Sequence, residues 1–202
     1  MFGVSELSQL LACAAAVFLG VTGWSFSEYA IHHWAGHDRR WLRNPFGVEH
    51  QAHHGRGNYF ASWWKKFGAA AAVVAVLWIP ATAIAGTLLG ALFIAGFVGF
   101  YLYYEALHWM EHVWESTTRY GRWARRHHFF HHFHDPSRNH GVTSPVWDHV
   151  FGTNVEPDVI RVPEKLAPFW LVNPDTGDVW THLQGEWELR RSRRSKSVPK
   201  AA

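Results

Sequence analysis

No charged residue stands between Glu6 and Glu28, and none between Lys66 and Glu105. This feature constrains the fold most, because a helix needs about 20 apolar residues to cross a hydrocarbon core. The run from Leu7 to Ser27 supplies one such helix, and the run from Phe67 to Tyr104 is long enough for two, with breaks at Ile79-Pro80 and Gly86-Thr87 near its middle. A soluble domain of 202 residues would struggle to hide so long an uncharged pair of helices. A cleaved signal peptide usually opens on Lys or Arg, and none precedes Leu7. The expected fold class is therefore all-α, an integral membrane helical bundle with spans at about 7–27, 67–85 and 88–107. The expected domains are a membrane-embedded unit over 1–160 and a cytoplasmic C-terminal extension over 161–202 ending in a basic tail.

Charge sets the expected orientation. If the first span runs inward and the hairpin goes out and returns, the outer segments are Met1 to Glu6 and the turn near Gly86, and neither holds Lys or Arg. Arg39, Arg40, Lys65, Lys66, Arg125, Arg126 and the cluster from Arg190 to Lys200 all fall on the other side, which the positive-inside rule assigns to the cytoplasm. Trp24, Trp34, Trp63, Trp64 and Trp109 lie near the inner span ends, where amphipathic rings favour the headgroup region. The tail after Arg190 reads as a solvated basic segment able to touch anionic lipid. The single cysteine, Cys13, sits in an apolar run and excludes an internal disulfide or a thiolate metal site. A net charge of +3 without a nucleic-acid motif makes a nucleic-acid partner unexpected.

The anomaly is 16 histidines. They come in clusters on the inner side: His32, His33 and His37; His50, His53 and His54; His108 and His112; and His127, His128, His131, His132 and His134. Spacings of three and four place imidazoles on one helical face, where they can close on a common ion. A structural zinc takes four protein ligands, so roughly eight to ten convergent imidazoles suggest two ions. Imidazole suits iron, zinc, copper and nickel alike, and redox chemistry would favour iron. Glu105-Ala-Leu-His108 matches the Glu-x-x-His spacing of carboxylate-bridged di-iron bundles, but no second copy exists. Glu28, Glu105, Glu111, His134 and Asp148 are instead expected around the ligands, orienting them. On a regular helix His33 shares a face with His37 better than His32 does, and His127 competes with His128. His140 and His149 are expected in outer or structural roles, His182 as a bystander, and Asp135 as a cap or an acceptor.

The boxes read His32 to His37, His50-Gln-Ala-His53-His54, His108-Trp-Met-Glu-His112 and His128-Phe-Phe-His131-His132, followed by Gly141-Val-Thr-Ser-Pro-Val-Trp-Asp-His-Val-Phe-Gly152. In this order, with a hairpin between the second and third, they resemble the fatty acid hydroxylase and sterol desaturase superfamily of integral membrane di-iron enzymes. The resemblance covers about Glu28 to Gly152 and implies ten ligands: His32, His37, His50, His53, His54, His108, His112, His128, His131 and His132. It also implies two iron ions, with zinc a possible substitute in a purified protein, and a monooxygenase that hydroxylates a lipid C–H bond with O2 and two electrons.

Within the superfamily the Gly-Val-Thr-Ser and Trp-Asp-x-Val-Phe-Gly segment leans toward a fatty acyl substrate. Sterol or carotenoid hydroxylation or desaturation is the alternative, and a membrane metal-binding or transport protein is the alternative of another class. A transporter would place ionisable residues near the midplane of its spans, where this sequence has none. Electrons are expected from a separate ferredoxin, rubredoxin or cytochrome b5 type carrier with its reductase.

Overall fold

The computed structural model describes residues 4–41 and 43–191. The basic tail from 192 onward, with its expected lipid contact, and residues 1–3 of the expected outer segment lie outside the described residues. Helix α1 (Val4–Ala30) runs without interruption into a π-helical segment, Ile31–His37. Helix α2 (Pro45–Arg56) opens with Pro45 in its first turn and Asn44 as cap, the Asn44 side chain accepting from the Gly47 amide at 2.9 Å. Gly57, at φ 68°, ends it.

Helix α3 (Trp63–Val113) is two helices joined at Gly86, whose φ of 79° and ψ of 164° fold the chain back on itself. The arms 63–85 and 87–113 pack closely, for a Cβ on Gly90 would lie 2.8 Å from the Ala81 carbonyl carbon. Helix α1 packs on the second arm through glycines at both crossing points. A Cβ on Gly20 would meet the Phe93 carbonyl oxygen at 2.0 Å, and one on Gly96 the Val17 carbonyl oxygen at 2.3 Å. Such close backbone approach is how membrane helices gain contact without a hydrophobic driving force between them. Toward the C-terminal end of α1 Trp24 packs edge-on to Phe97 and Tyr101, with ring centroids 5.3 and 4.7 Å apart.

These helices are apolar outward as well as inward. Only 11% of the most apolar window of the first helix and 22% of that of α3 is buried, and Val76, Ile79 and Ile84 are largely exposed. A soluble protein would hide such surface, whereas lipid covers it.

At the histidine-bearing end of the bundle α4 (Arg119–Phe133), capped by Thr118, and the short α5 (Val146–Val150) complete a helical cap. Behind α4 the chain adds β1 (Ile160–Pro163) and β2 (Trp187–Arg190), a parallel pair in register Ile160 to Trp187, whose four-residue strands were not foreseen. They build a small core in which Phe129 meets Ile160, Val162, Trp170, Leu171 and Trp187. Residue 160, the expected edge of the membrane unit, thus belongs to a strand packed on the cap. The Trp170 indole N–H donates to the His112 carbonyl at 3.0 Å, and the Arg125 guanidinium lies 4.0 Å from the Trp170 ring centre.

Candidate metal centre

The π-helical segment that continues α1 and the C-terminal end of the second arm of α3 converge with α2 and α4, and every one of these elements brings histidines. Two groups result. In one, a nitrogen from each of His32, His37, His50, His54 and His131 lies within 4.8 Å of all the others; in the second the same holds for His53, His108, His112, His128 and His132. The π-helical segment decides which histidine of the first cluster enters. Its i→i+5 pattern brings residues five apart toward one side, so His32 joins His37 with ring centroids 5.5 Å apart. His33 turns away, its Nδ1 3.0 Å from the Tyr29 hydroxyl. His127 also faces elsewhere, Nε2 pairing with Asp148 at 3.1 Å.

Main-chain carbonyls fix the tautomer of three rings. His53 Nδ1–H donates to the Tyr59 carbonyl at 2.6 Å, His131 Nδ1–H to that of Arg138 at 2.7 Å, and His32 Nδ1–H to that of His140 at 2.5 Å. Each leaves Nε2 as a lone pair pointing into its group. Those inward nitrogens crowd together: His53 and His108 at 3.0 Å, His112 and His128 at 3.0 Å, His37 with His50 at 2.8 Å and with His131 at 2.9 Å, and His50 with His54 at 3.0 Å. Without a cation each such pair needs one ring to donate its N–H to the other. Two nitrogens held about 2.1 Å from one cation at right angles would also lie about 3 Å apart, so the donor set fits a metal ion in each group.

Burial keeps the rings neutral, which is the form that binds metal. It pushes the His53 imidazole down to about 4 and that of His54 down to about 2, while burial and then neighbouring imidazoles hold His50, His128, His131 and His132 well below their ordinary value.

Among the described residues the carboxylates expected around the ligands, Glu111 apart, are hydrogen-bonded to groups other than the ten clustered rings. Glu28 accepts from the Val142 and Thr143 amides at 2.6 and 2.8 Å and from the Thr143 hydroxyl at 2.7 Å, tying α1 to the loop after α4. Asp148 accepts from the His140 and Gly141 amides at 2.8 Å each, from Thr153 at 2.7 Å and from His127. Burial pushes its carboxyl up, but these bonds outweigh it and leave the group below its ordinary value. By holding residue 140 it steadies the carbonyl that orients His32. Glu105 pairs with Lys66, Glu111 has no hydrogen-bond partner among the described residues, and His134 accepts from the Arg161 amide at 2.7 Å. Asp135 accepts from the Ser137 amide and hydroxyl, His149 is exposed, and His182 pairs with Glu115.

A cavity of about 670 Å³ abuts both groups, touching His50 of one and His53 and His108 of the other. Trp24, Ala69, Ala70, Val73, Phe97 and Val98 make its walls, and Lys65, Lys66, Glu49 and Glu105 add charge to its lining.

The sequence profile of the fatty acid hydroxylase family matches residues 17–153. The chain belongs to that family. It is similar to the dihydroceramide fatty acyl 2-hydroxylase FAH1 of Arabidopsis thaliana, 29% identical over 141 residues covering 68% of this chain and 59% of the relative. It is also similar to the ceramide very long chain fatty acid hydroxylase SCS7 of Saccharomyces cerevisiae, 29% identical over 161 residues covering 77% of this chain and 41% of the relative. The chain thus spans about half the length of these curated relatives. Among solved structures it resembles full-length scs7p, of which only the hydroxylase domain is visible, with a TM-score of 0.62 and 26% identity over 75% of this chain and 59% of that one.

For this fatty acid hydroxylase family member, the ten histidines named from the boxes are the ten that the fold gathers into two groups. The carbonyls of Tyr59, Arg138 and His140 were missed, since a main-chain acceptor leaves no residue-type signal. Asn139 was missed as well. It holds φ at 54°, and its side chain bonds the Val155 amide and carbonyl at 2.7 and 2.9 Å, turning the chain into the site.

Proposed function

We propose that the chain is a membrane monooxygenase that hydroxylates a fatty acyl chain, with two iron ions held by His32, His37, His50, His54 and His131 and by His53, His108, His112, His128 and His132. The observation that carries this reading is the apolar cavity that touches imidazoles of both groups. Imidazole also suits zinc, which would substitute in purified protein, but zinc has no redox chemistry. When bound, the iron pair supplies the activation of O2 with two electrons and the attack on a C–H bond.

The chain's own residues do the rest. Trp24, Phe97, Val73 and Ala70 offer an acyl chain a water-poor path to the imidazoles, and Lys66 with Glu105 gives the same cavity a polar end for a headgroup. Tyr59, Arg138 and His140 hold three rings so that no reorientation accompanies each turnover. The positive-inside rule supports an outer N-terminus with the metal centre and C-terminus in the cytoplasm, where a ferredoxin, rubredoxin or cytochrome b5 type donor with its reductase delivers electrons. The two named relatives act on ceramide-linked or fatty acyl chains, which favours an acyl over a sterol or carotenoid substrate.

Lipids of a host expressing the chain test this. A hydroxylated acyl product should appear only with iron and oxygen, and His112→Ala should lower it by at least about 100-fold while membrane insertion persists. Undiminished product from the variant would refute the assignment of the site.

A further inference from the structure

His140 is fully buried, and neither of its ring nitrogens makes a well-aligned hydrogen bond among the described residues, the Ser137 carbonyl being only a loose neighbour of the ring. An imidazole carries at least one N–H in either tautomer, and burying it unpaired costs free energy comparable to a lost hydrogen bond. The main chain of residue 140 has a clear task, for its N–H meets Asp148 and its carbonyl receives the His32 proton. Any residue could perform it. An apolar side chain would then fill the space without an orphaned polar group.

The ring's surroundings supply the reason for an imidazole. It stacks on His33 with centroids 4.3 Å apart and planes 8° from parallel, and its centroid lies 5.2 Å from that of His131, 5.5 Å from His32 and 5.8 Å from His37. All three belong to the first group, and His32 Nε2 is itself without a partner among the described residues. The ring is also deliberately placed. Asn139 before it holds a left-handed φ of 54°, and a Cβ on Gly141 after it would lie 2.1 Å from the Ser144 carbonyl oxygen. Strain of this kind persists where surrounding bonds over-determine a functional conformation.

We infer that His140 is an eleventh metal donor, a sixth imidazole at the edge of the group formed by His32, His37, His50, His54 and His131. This rests on the two-metal reading of the same site. It makes the two ions unequal, the first offered six imidazoles and the second five, so that ligand exchange is easier at the second, whose His53 and His108 line the cavity.

The test uses the full chain loaded anaerobically with 57Fe. Wild-type protein should hold two irons with two distinct Mössbauer doublets. In His140→Phe one doublet should shift while the other stays, and a chelator should remove one iron at least about tenfold faster. Two unchanged doublets with unchanged release would overturn the assignment and leave His140 as packing. Failure of the wild type to hold two irons would overturn the two-metal reading, and the eleventh donor with it. Should His140→Phe not fold, hydrogen exchange at the His140 C2 position in wild-type protein decides. Slower exchange on loading with iron supports ligation, and equal rates in stripped and loaded protein refute it.

Discussion

His53 carries the chemistry of the centre in a single side chain. Its Nδ1–H is held by the Tyr59 carbonyl, its Nε2 faces His108, and burial holds its pKa down at about 4 against an ordinary 6.5. Because the unfolded chain takes up protons at higher pH than the folded one, the stability this ring lends is present above about 6.5 and is lost as pH falls toward 4. His54, pushed down to about 2, acts in the same direction over the same window and beyond it. Metal-free protein followed by thermal unfolding should therefore lose several degrees of Tm between pH 7 and about pH 4. A flat Tm across that range would mean that these rings are solvated. At this scale the ligands were legible because imidazole spacing is written in side chains. The carbonyls that aim them were not, since every residue has one and only the fold selects Tyr59 and Arg138.

Among elements, the π-helical segment Ile31–His37 and the glycine crossings of α1 and α3 do most to bring the clusters together. A regular helix would pair His33 with His37, so helical periodicity alone left the choice open; the wider turn selects His32 because it alone offers an inward nitrogen beside His37. The glycines set how α1 lies along the second arm of α3, and so how the segment bearing His32 stands to the one bearing His108. Gly96→Val should cost about 1–3 kcal/mol by overpacking against the Val17 carbonyl, and it should reduce iron retention although residue 96 touches no ligand. Thermal unfolding in detergent with metal analysis checks this, and a fully stable, fully loaded variant would show that the helices can separate without disturbing the centre. The apolar helices and the break at Gly86 were readable from missing charge and from glycine. Strands β1 and β2 were not, because four residues are too few for an alternation and their core forms only against Phe129 of α4.

In the whole molecule, a lipid-facing bundle holds a cavity that reaches three of the ten clustered imidazoles at one end, with a second small core bracing α4 from behind. Apolar walls and buried neutral rings suit a hydrocarbon chain brought to a metal pair better than they suit passage of a hydrated ion, which would need polar groups along the spans. The histidine boxes and charge-free runs made this division between bundle and cap visible in the sequence; the cavity was not, since it depends on how Trp24, Val73 and Phe97 meet across three helices. Narrowing it with Ala70→Trp should lower turnover of long acyl chains more than of short ones, leaving iron content unchanged, and equal loss at all lengths would place the substrate elsewhere. The most direct measurement is isotopic: purified chain carrying two irons, given a reduced ferredoxin type donor, a long-chain acyl lipid and 18O2, with the lipid analysed by mass spectrometry. One 18O atom in a hydroxylated acyl chain, absent with His112→Ala, is the expected result; intact lipid, or oxygen drawn from water, would contradict it.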